Sequence, residues 1–435
     1  MNNIILFICC FVIFAYEYYS KKSDLLSPAV LISIGFTLSS LIFSLTNRTW
    51  HYVISGSTII WILVCLVAFN LGCRFTQIIK IENTNRKYYT IESRDLSNLV
   101  FGILIIVEII YIILRYYSII SVTGTFSLTE NALKKYNIAS KGNIAFDLPL
   151  KILSAVVSII GVYAAVFFVN ATKKKSLSKI KPLMLLICYA VSTVLSSSRI
   201  EIIYSLIYLA VFSILLYSSK QNYRITIKTL CLFSIGAFLL GRTFFLLGYL
   251  TGKSQIQVNF FDNMAIYGGS SIGAFDHYLK RMVDTTDNVF TLSFKGIYTL
   301  LSYLGVDINR TATDTIGFVQ LGDMQHTTNV YTCLMVVFHD YGYFGAPFVM
   351  FVQGCFYQYL YIKAKMPRES VFSVWTIIYV YVSPFIILSS ITDRFFTQIF
   401  TISSIVSFIT MSIINLTLLR YENKVTGESN ERLEL

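Results

Sequence analysis

Charge is scarce in this chain. Asp, Glu, Lys and Arg make up 13% of its 435 residues, about half the share of an ordinary soluble domain and too little to coat a soluble protein of this size. None of the eight cysteines forms a CxxC pair, which argues against a disulfide framework or zinc knuckle. No P-loop, DxD acid pair or HExxH string is present, so no soluble nucleotide or metalloprotease chemistry is indicated. Glutamate is missing from the whole of residues 250–328. Apolar residues, by contrast, reach 55%, with 34 Phe and 30 Tyr, an aromatic load that excludes a disordered chain. They recur from end to end, so the chain is an integral membrane protein. Its net charge of +12 then reports orientation before it reports any nucleic-acid partner.

A helix needs roughly 20 mainly apolar residues to cross a hydrocarbon core. Eleven stretches qualify as transmembrane helices: 4–19, 25–45, 53–72, 96–119, 150–169, 183–195, 200–217, 225–249, 344–362, 371–388 and 395–419. The expected fold is an all-α polytopic bundle. Helices 1–8 fall within 1–249, a large loop within 250–343, helices 9–11 within 344–419 and a tail within 420–435. Residues 330–338 are too short to span and read as re-entrant or interfacial. Every odd-numbered span is followed by Lys or Arg, as in Lys173-Lys174-Lys175, so the positive-inside rule puts those loops in the cytoplasm. The N-terminus then faces out, and the first span, without a basic leader or evident cleavage site, is expected to stay as an anchor. The basic residues Lys134, Lys135 and Lys141 fit the opposite face poorly. The large loop lies outside and carries seven Asp against five Lys or Arg. Its stretches 260–282 and 289–304 have helix-like apolar spacing, as expected of amphipathic helices on a membrane surface. No counterpart exists in the first half, which argues against a transporter of matched repeats.

Ionisable groups near a membrane usually face a partner or a cavity. Arg199, in Ser196-Ser197-Ser198-Arg199-Ile200-Glu201, could grip a phosphate through its planar fork or pair with Glu201. Arg242 lies within the eighth span, among Gly236, Gly241 and Gly248, and either faces a protein cavity or snorkels to the headgroups. Arg281 and Arg310 belong to the loop and could touch pyrophosphate or remain solvated. The densest polar constellation is His326-Thr327-Thr328-Asn329-Val330-Tyr331 followed by His339-Asp340-Tyr341-Gly342-Tyr343-Phe344-Gly345. An imidazole there could serve as general base or hydrogen-bond an anion, and Asn329 could equally cap the next segment. Asp340 and the two glycines mark a polar break between a half-span and the ninth span. The spacing of His326, His339 and Asp340 matches no metal motif, so no metal is assigned. Gly269-Ser270-Ser271-Ile272-Gly273 matches GxSxG, but lacks the strand-to-helix elbow that motif needs.

Three stretches carry a family likeness: Ser197-Ser198-Arg199 opening an apolar span; Tyr267-Gly268-Gly269-Ser270-Ser271-Ile272 running into Phe275-Asp276-His277-Tyr278-Leu279; and His326 to Thr332 with Asp340 to Gly345. On these, the chain resembles the Wzy-type O-antigen polymerases over roughly its second half. The resemblance implies a metal-independent glycosyltransferase of the GT-C type, without cofactor, in the bacterial inner membrane. It would transfer a growing glycan from undecaprenyl pyrophosphate to a new lipid-linked repeat unit at the periplasmic face, with a chain-length regulator as a further expected partner. Arg199 and Arg242 would clamp the leaving pyrophosphate, with Arg281 or Arg310 closing from the loop. His326 or Asp276 would take or orient the acceptor proton, and Asn329, Tyr331 and Asp340 would line the substrate site. Competing readings are an O-antigen ligase, a lipid-linked-oligosaccharide flippase or other transporter, and a non-catalytic envelope partner.

Overall fold

Long apolar runs with few internal breaks leave the backbone one way to satisfy its polar groups in lipid, which is the helix. The computed structural model describes the chain outside residues 22–23, 80–95, 125–143 (save 132, 135 and 136), 174–177, 197–198, 219–259 (save 242), 282–289, 304, 307–316, 325–326, 366–372 and 432–435. Among the described residues there is no strand beyond one isolated bridge, Val319 to Thr328. Among the described residues, thirteen α-helices follow in order: α1 Asn2–Ser20, α2 Pro28–Trp50, α3 Gly56–Ile79, α4 Asn98–Thr123, α5 Ile144–Lys173, α6 Ile180–Leu195, α7 Arg199–Ser218, α8 Phe260–Gly268, α9 Ser270–Arg281, α10 Lys295–Tyr303, α11 Cys333–Lys365, α12 Val374–Ile387 and α13 Ile402–Glu431. Six of them (α1 to α5 and α11) are long and apolar enough to cross a membrane, and α6, α7, α12 and α13 contain shorter apolar stretches. The protein is a helical membrane protein. Exposed Ile103, Ile106, Ile109, Ile110 and Ile113 on α4 are the side chains such a helix offers to lipid. The span expected at 225–249 lies outside the described residues, apart from Arg242.

Lipid tails are as apolar as leucine, so helices in a bilayer gain from close packing rather than from escaping water. The tightest contact joins α3 and α11. A side chain at Gly72 would strike the Phe351 carbonyl, and one at Gly354 the Phe69 carbonyl, so each helix presses its backbone against the other. The end of the bundle bearing Trp50 and Gly56, where α2 passes into α3, also carries α8 to α10; it is called the loop face below. At the opposite end, Arg74 pairs with Glu17 at 2.8 Å and Lys365 pairs with Asp24.

Two segments enter the bundle without crossing it. Cys333 shares a pocket with Phe69 and Tyr357, and Phe69 lies about 20 Å along α3 from Gly56. From there the first turns of α11 climb to Asp340, which bonds the loop residues Leu292 and Ser293. Gly342, with φ +65° and ψ −171°, reverses the chain in a backbone region open essentially to glycine alone, and residues 343–365 then run back down. The second segment follows α12. Ser390 meets Ser39 at 3.0 Å, about halfway along α2. A 3-10 turn (Leu388–Ser390) and a π-helical turn (Phe395–Ile399) then lead the chain to the loop helix α10, where Gly296 lies against the Phe400 carbonyl.

Helix α9 departs from the expectation of a helix lying on the membrane surface. Every residue from Ser270 to Asp276 is buried, and the helix is wedged among α2, α3 and α11. Small residues make the fit possible, because a side chain at Gly273 would collide with Leu321 and Phe43. The hydroxyls that resembled a nucleophile motif are spent on packing: Ser271 donates to the Ser390 carbonyl at 2.7 Å, and Ser270 meets Thr328 at 2.8 Å.

Candidate functional site

The wedge carries Asp276 to the loop face, where its side chain is fully buried. One carboxylate oxygen accepts from the Ser55 amide at 2.9 Å, the Ser55 hydroxyl at 2.8 Å and the Thr58 hydroxyl at 2.7 Å. The other accepts from the Tyr52 hydroxyl at 2.8 Å and pairs with Lys280, one helical turn on, at 2.6 Å. Burial alone would raise the proton affinity of this carboxyl. The Lys280, Thr58, Ser55 and Tyr52 donors outweigh that effect and hold it below its ordinary value, as expected when several donors favour the charged form. Tyr52 is pushed the other way, first by burial and then by its bond to Asp276. With both oxygens occupied, Asp276 is built to hold the α2–α3 turn and α9 in register. His277 follows it, its proton affinity lowered by burial and then by the neighbouring Arg281 and Lys280, so its imidazole is neutral at neutral pH.

One turn further, the Tyr278 ring lies 6.4 Å from that of His339. The Tyr278 hydroxyl is buried without a protein partner, and its proton is held tightly by burial and by the negative charge of nearby Asp340. His339 Nδ1 meets an Asp340 oxygen at 2.7 Å; the Asp340 side chain is fully buried, whereas that of His339 is 22% exposed. The amides of Leu292 and Ser293 also donate to Asp340. A buried carboxylate at Nδ1 fixes the tautomer of an imidazole and leaves Nε2 as the basic atom. Tyr331, on the strand-like approach to α11, donates to the Gly317 carbonyl at 3.0 Å and lies in the field of Arg281. Asn329 beside it is exposed.

Of the residues singled out from sequence, Asp276, Arg281, Tyr331 and Asp340 therefore gather at the loop face, on or beside α9 and the start of α11, with Asn329 next to Tyr331. His326 and Arg310 lie outside the described residues. Arg199 opens α7, with its side chain outside them too; Arg242 is helical and exposed, but the residues around it are not described. Sequence reasoning passed over His339 as a partner of Asp340, and it also missed Asp393 and Arg394. The latter two sit in Ser389-Ser390-Ile391-Thr392-Asp393-Arg394, a polar break between the apolar runs 371–388 and 395–419. An acid and a base side by side in such a break were the available signal. Among the described residues, no three His, Cys, Asp or Glu side chains converge as a metal site would require.

Fold and site together define a polytopic helical membrane protein with a polar cluster set into one end of the bundle. A protein of Escherichia coli (strain K12) named "Putative O-antigen polymerase" is 31% identical to the chain over 116 residues, which is 26% of this chain and 29% of that protein. The match thus spans under a third of the relative's length. No protein-family profile matches the chain, and no solved structure does.

Proposed function

We propose that the chain is an O-antigen polymerase of the bacterial inner membrane. It would transfer a growing glycan from undecaprenyl pyrophosphate to the non-reducing end of a new lipid-linked repeat unit, with the loop face on the periplasmic side. The similarity over 116 residues to the Escherichia coli protein carries this reading, and the polar cluster at one end of an apolar bundle supports it. In the reaction the acceptor hydroxyl oxygen bonds to the anomeric carbon, the bond from that carbon to the pyrophosphate oxygen breaks, and the leaving group keeps the electron pair. The acceptor proton goes to an imidazole, either His326 or the loop-face His339 that Asp340 holds. Arg199 and Arg242 meet the charge that grows on the leaving pyrophosphate, and fixed positive charge there lowers the barrier directly. Arg281 and Arg310 close on it from the loop, Asn329, Tyr331 and Asp340 shape the glycan site, and Asp276 orients the wedge that presents them. No nucleotide, metal or other cofactor enters this scheme. A chain-length regulator is the partner protein it leaves room for.

Deleting the gene and separating lipopolysaccharide on a gel tests the reading. A polymerase loss leaves one repeat unit on the lipid core. Bare core with lipid-linked polymer accumulating would identify a ligase instead, and loss of both would identify a flippase.

A further inference from the structure

Two described residues other than glycine hold a positive φ, His51 and Phe290. At φ +69° the bulky Phe290 crowds its own backbone, and such a conformation persists only where the surroundings impose it. Here the reversal after Asp340 imposes it. The Phe290 ring lies 5.1 Å from that of Tyr341, which stacks at 6.0 Å on Phe396 of the π-helical turn. Past Phe290 the chain makes one tight turn, closed by the Phe294 amide on the Phe290 carbonyl at 3.2 Å, and enters α10. Thr291 and Ser293 are buried, and the amides of Leu292 and Ser293 both end on the Asp340 carboxylate. That carboxylate also holds His339, so residues 290–294 form a strap tied to the Asp340–His339 pair. Beside that pair stands Tyr278, its ring 6.4 Å from the imidazole, and the His339 side chain is left 22% exposed. A base must come within hydrogen-bond reach of the hydroxyl it deprotonates, and this packing crowds the approach.

We propose that residues 290–294 are a lid: the strap lifts about Phe290 to admit the acceptor hydroxyl to His339, and closes to fix Asp340 and, through it, the imidazole. The closed form is held by charge-assisted bonds to one carboxylate and opposed by the backbone strain at Phe290. Strain at one end and ties to a single side chain at the other make the strap easier to move than the neighbouring wedge. Helix α9, by contrast, is fastened at Ser270, Ser271 and Asp276 to three separate parts of the chain. A lid of this kind admits substrate when open and completes the catalytic arrangement when shut. Admission of a glycan acceptor rests on the transferase reading; the lifting itself does not.

Amide hydrogen exchange on full-length protein in phosphatidylcholine nanodiscs reads the lifting. In wild type the peptide over 290–294 should exchange about tenfold or more faster than the wedge peptide over 270–276, although Thr291 and Ser293 are buried too. Phe290→Ala loses the ring contact and keeps the strain, whereas Phe290→Gly loses both. Exchange over 291–294 should therefore be about 3- to 10-fold slower in Phe290→Gly than in Phe290→Ala, strain relief outweighing the greater freedom of glycine in the open form. A second arm locks the lid. With the native cysteines replaced, Phe290→Cys and Tyr341→Cys are bridged by a short bifunctional thiol reagent. Polymer formation from a lipid-linked repeat unit should then fall about tenfold or more against the same variant capped singly. Equal exchange of strap and wedge, equal exchange in the two Phe290 variants, or equal turnover of bridged and capped protein each overturns the proposal. Should the cysteine-replaced protein fail to fold, the exchange comparison in wild type decides. A strap that lifts by exchange, in a protein whose gene deletion leaves normal O-chains, keeps the moving strap and removes the transferase reading instead.

Discussion

Replacing Asp276 by Asn separates two kinds of contact made by one carboxylate. The amide oxygen of Asn can keep the three donors from Ser55 and Thr58, because all three use the same oxygen. The new NH2 group would face the Lys280 ammonium, which can only donate, and the Tyr52 hydroxyl, which loses its charged acceptor and must turn its proton elsewhere before it can accept. A hydrogen bond to a charged group contributes about 1.5–3 kcal/mol. The Lys280 side chain is 47% exposed, so it can turn to water, and its loss is discounted to about 0–1 kcal/mol. Asp276→Asn should therefore loosen the wedge by about 2–3 kcal/mol, and Lys280→Met by less than about 1 kcal/mol. Amide hydrogen exchange over residues 50–58 and 270–281 reads this directly, as roughly 30- to 150-fold faster exchange in the first variant and a few-fold in the second. Acid should act on the same contact. Because the folded-state proton affinity of Asp276 is depressed, its contribution is present above the ordinary carboxylate range, roughly pH 4, and is lost only as pH falls through the lower folded value. Protection at these amides should hold from pH 7 to pH 5 and be lost only below roughly pH 4, and Asp276→Asn should lack this acid step. Equal effects of the two variants, or a larger one for Lys280→Met, would refute the argument.

The spans were legible because a bilayer imposes one simple rule, and runs such as 53–72 and 96–119 obey it without help from tertiary structure; α3 and α4 form there. The wedge was not legible. Ser270, Ser271 and Asp276 are polar, and periodicity sends polar positions to the surface. The structure buries all three by giving each a partner from a distant part of the chain: Thr328, Ser390, and the Tyr52–Thr58 turn. No local pattern encodes such partners. The turn at Gly342 was half legible: two glycines after Asp340 announced a break, but the positive φ at the first of them, and the climb of Cys333–Asp340 that precedes it, come from packing Phe338 among Trp61, Phe275 and Tyr343. Arg394 escaped notice for a related reason. A helix-length reading treats each apolar run as a crossing of the bilayer, so residues 389–394 are only the gap between the expected spans 371–388 and 395–419. The contact of Ser390 with Ser39 shows that this connection begins midway along α2, and only that depth makes its arginine unusual.

Three further perturbations address the packing and the chemistry. Gly72→Val would drive a side chain into the Phe351 carbonyl and part α3 from α11. Yield of monodisperse protein from membranes, followed by a fluorescent fusion, should collapse, whereas Gly56→Ala, where the added carbon meets nothing, should leave it unchanged. Gly342→Ala places a side chain at φ +65° and should lower stability by about 1–3 kcal/mol, measured as the shift in thermal unfolding of the purified protein. The last concerns His339. If Nε2 receives the acceptor proton, His339→Gln keeps a polar side chain of similar reach but lacks the basic atom. Polymer formation from a defined lipid-linked repeat unit should then slow by about 10²- to 10⁴-fold, with KM for that unit little changed. Asp340→Asn should also slow the reaction by weakening the hold on Nδ1, and should lower stability as well because Ser293 and Leu292 lose their charged acceptor. A purely structural His339 predicts a different pair of outcomes: full turnover in His339→Gln once corrected for folded protein, and an Asp340→Asn defect that follows stability alone. That result would move the proton to His326 and leave His339 as nothing more than a donor to a buried carboxylate.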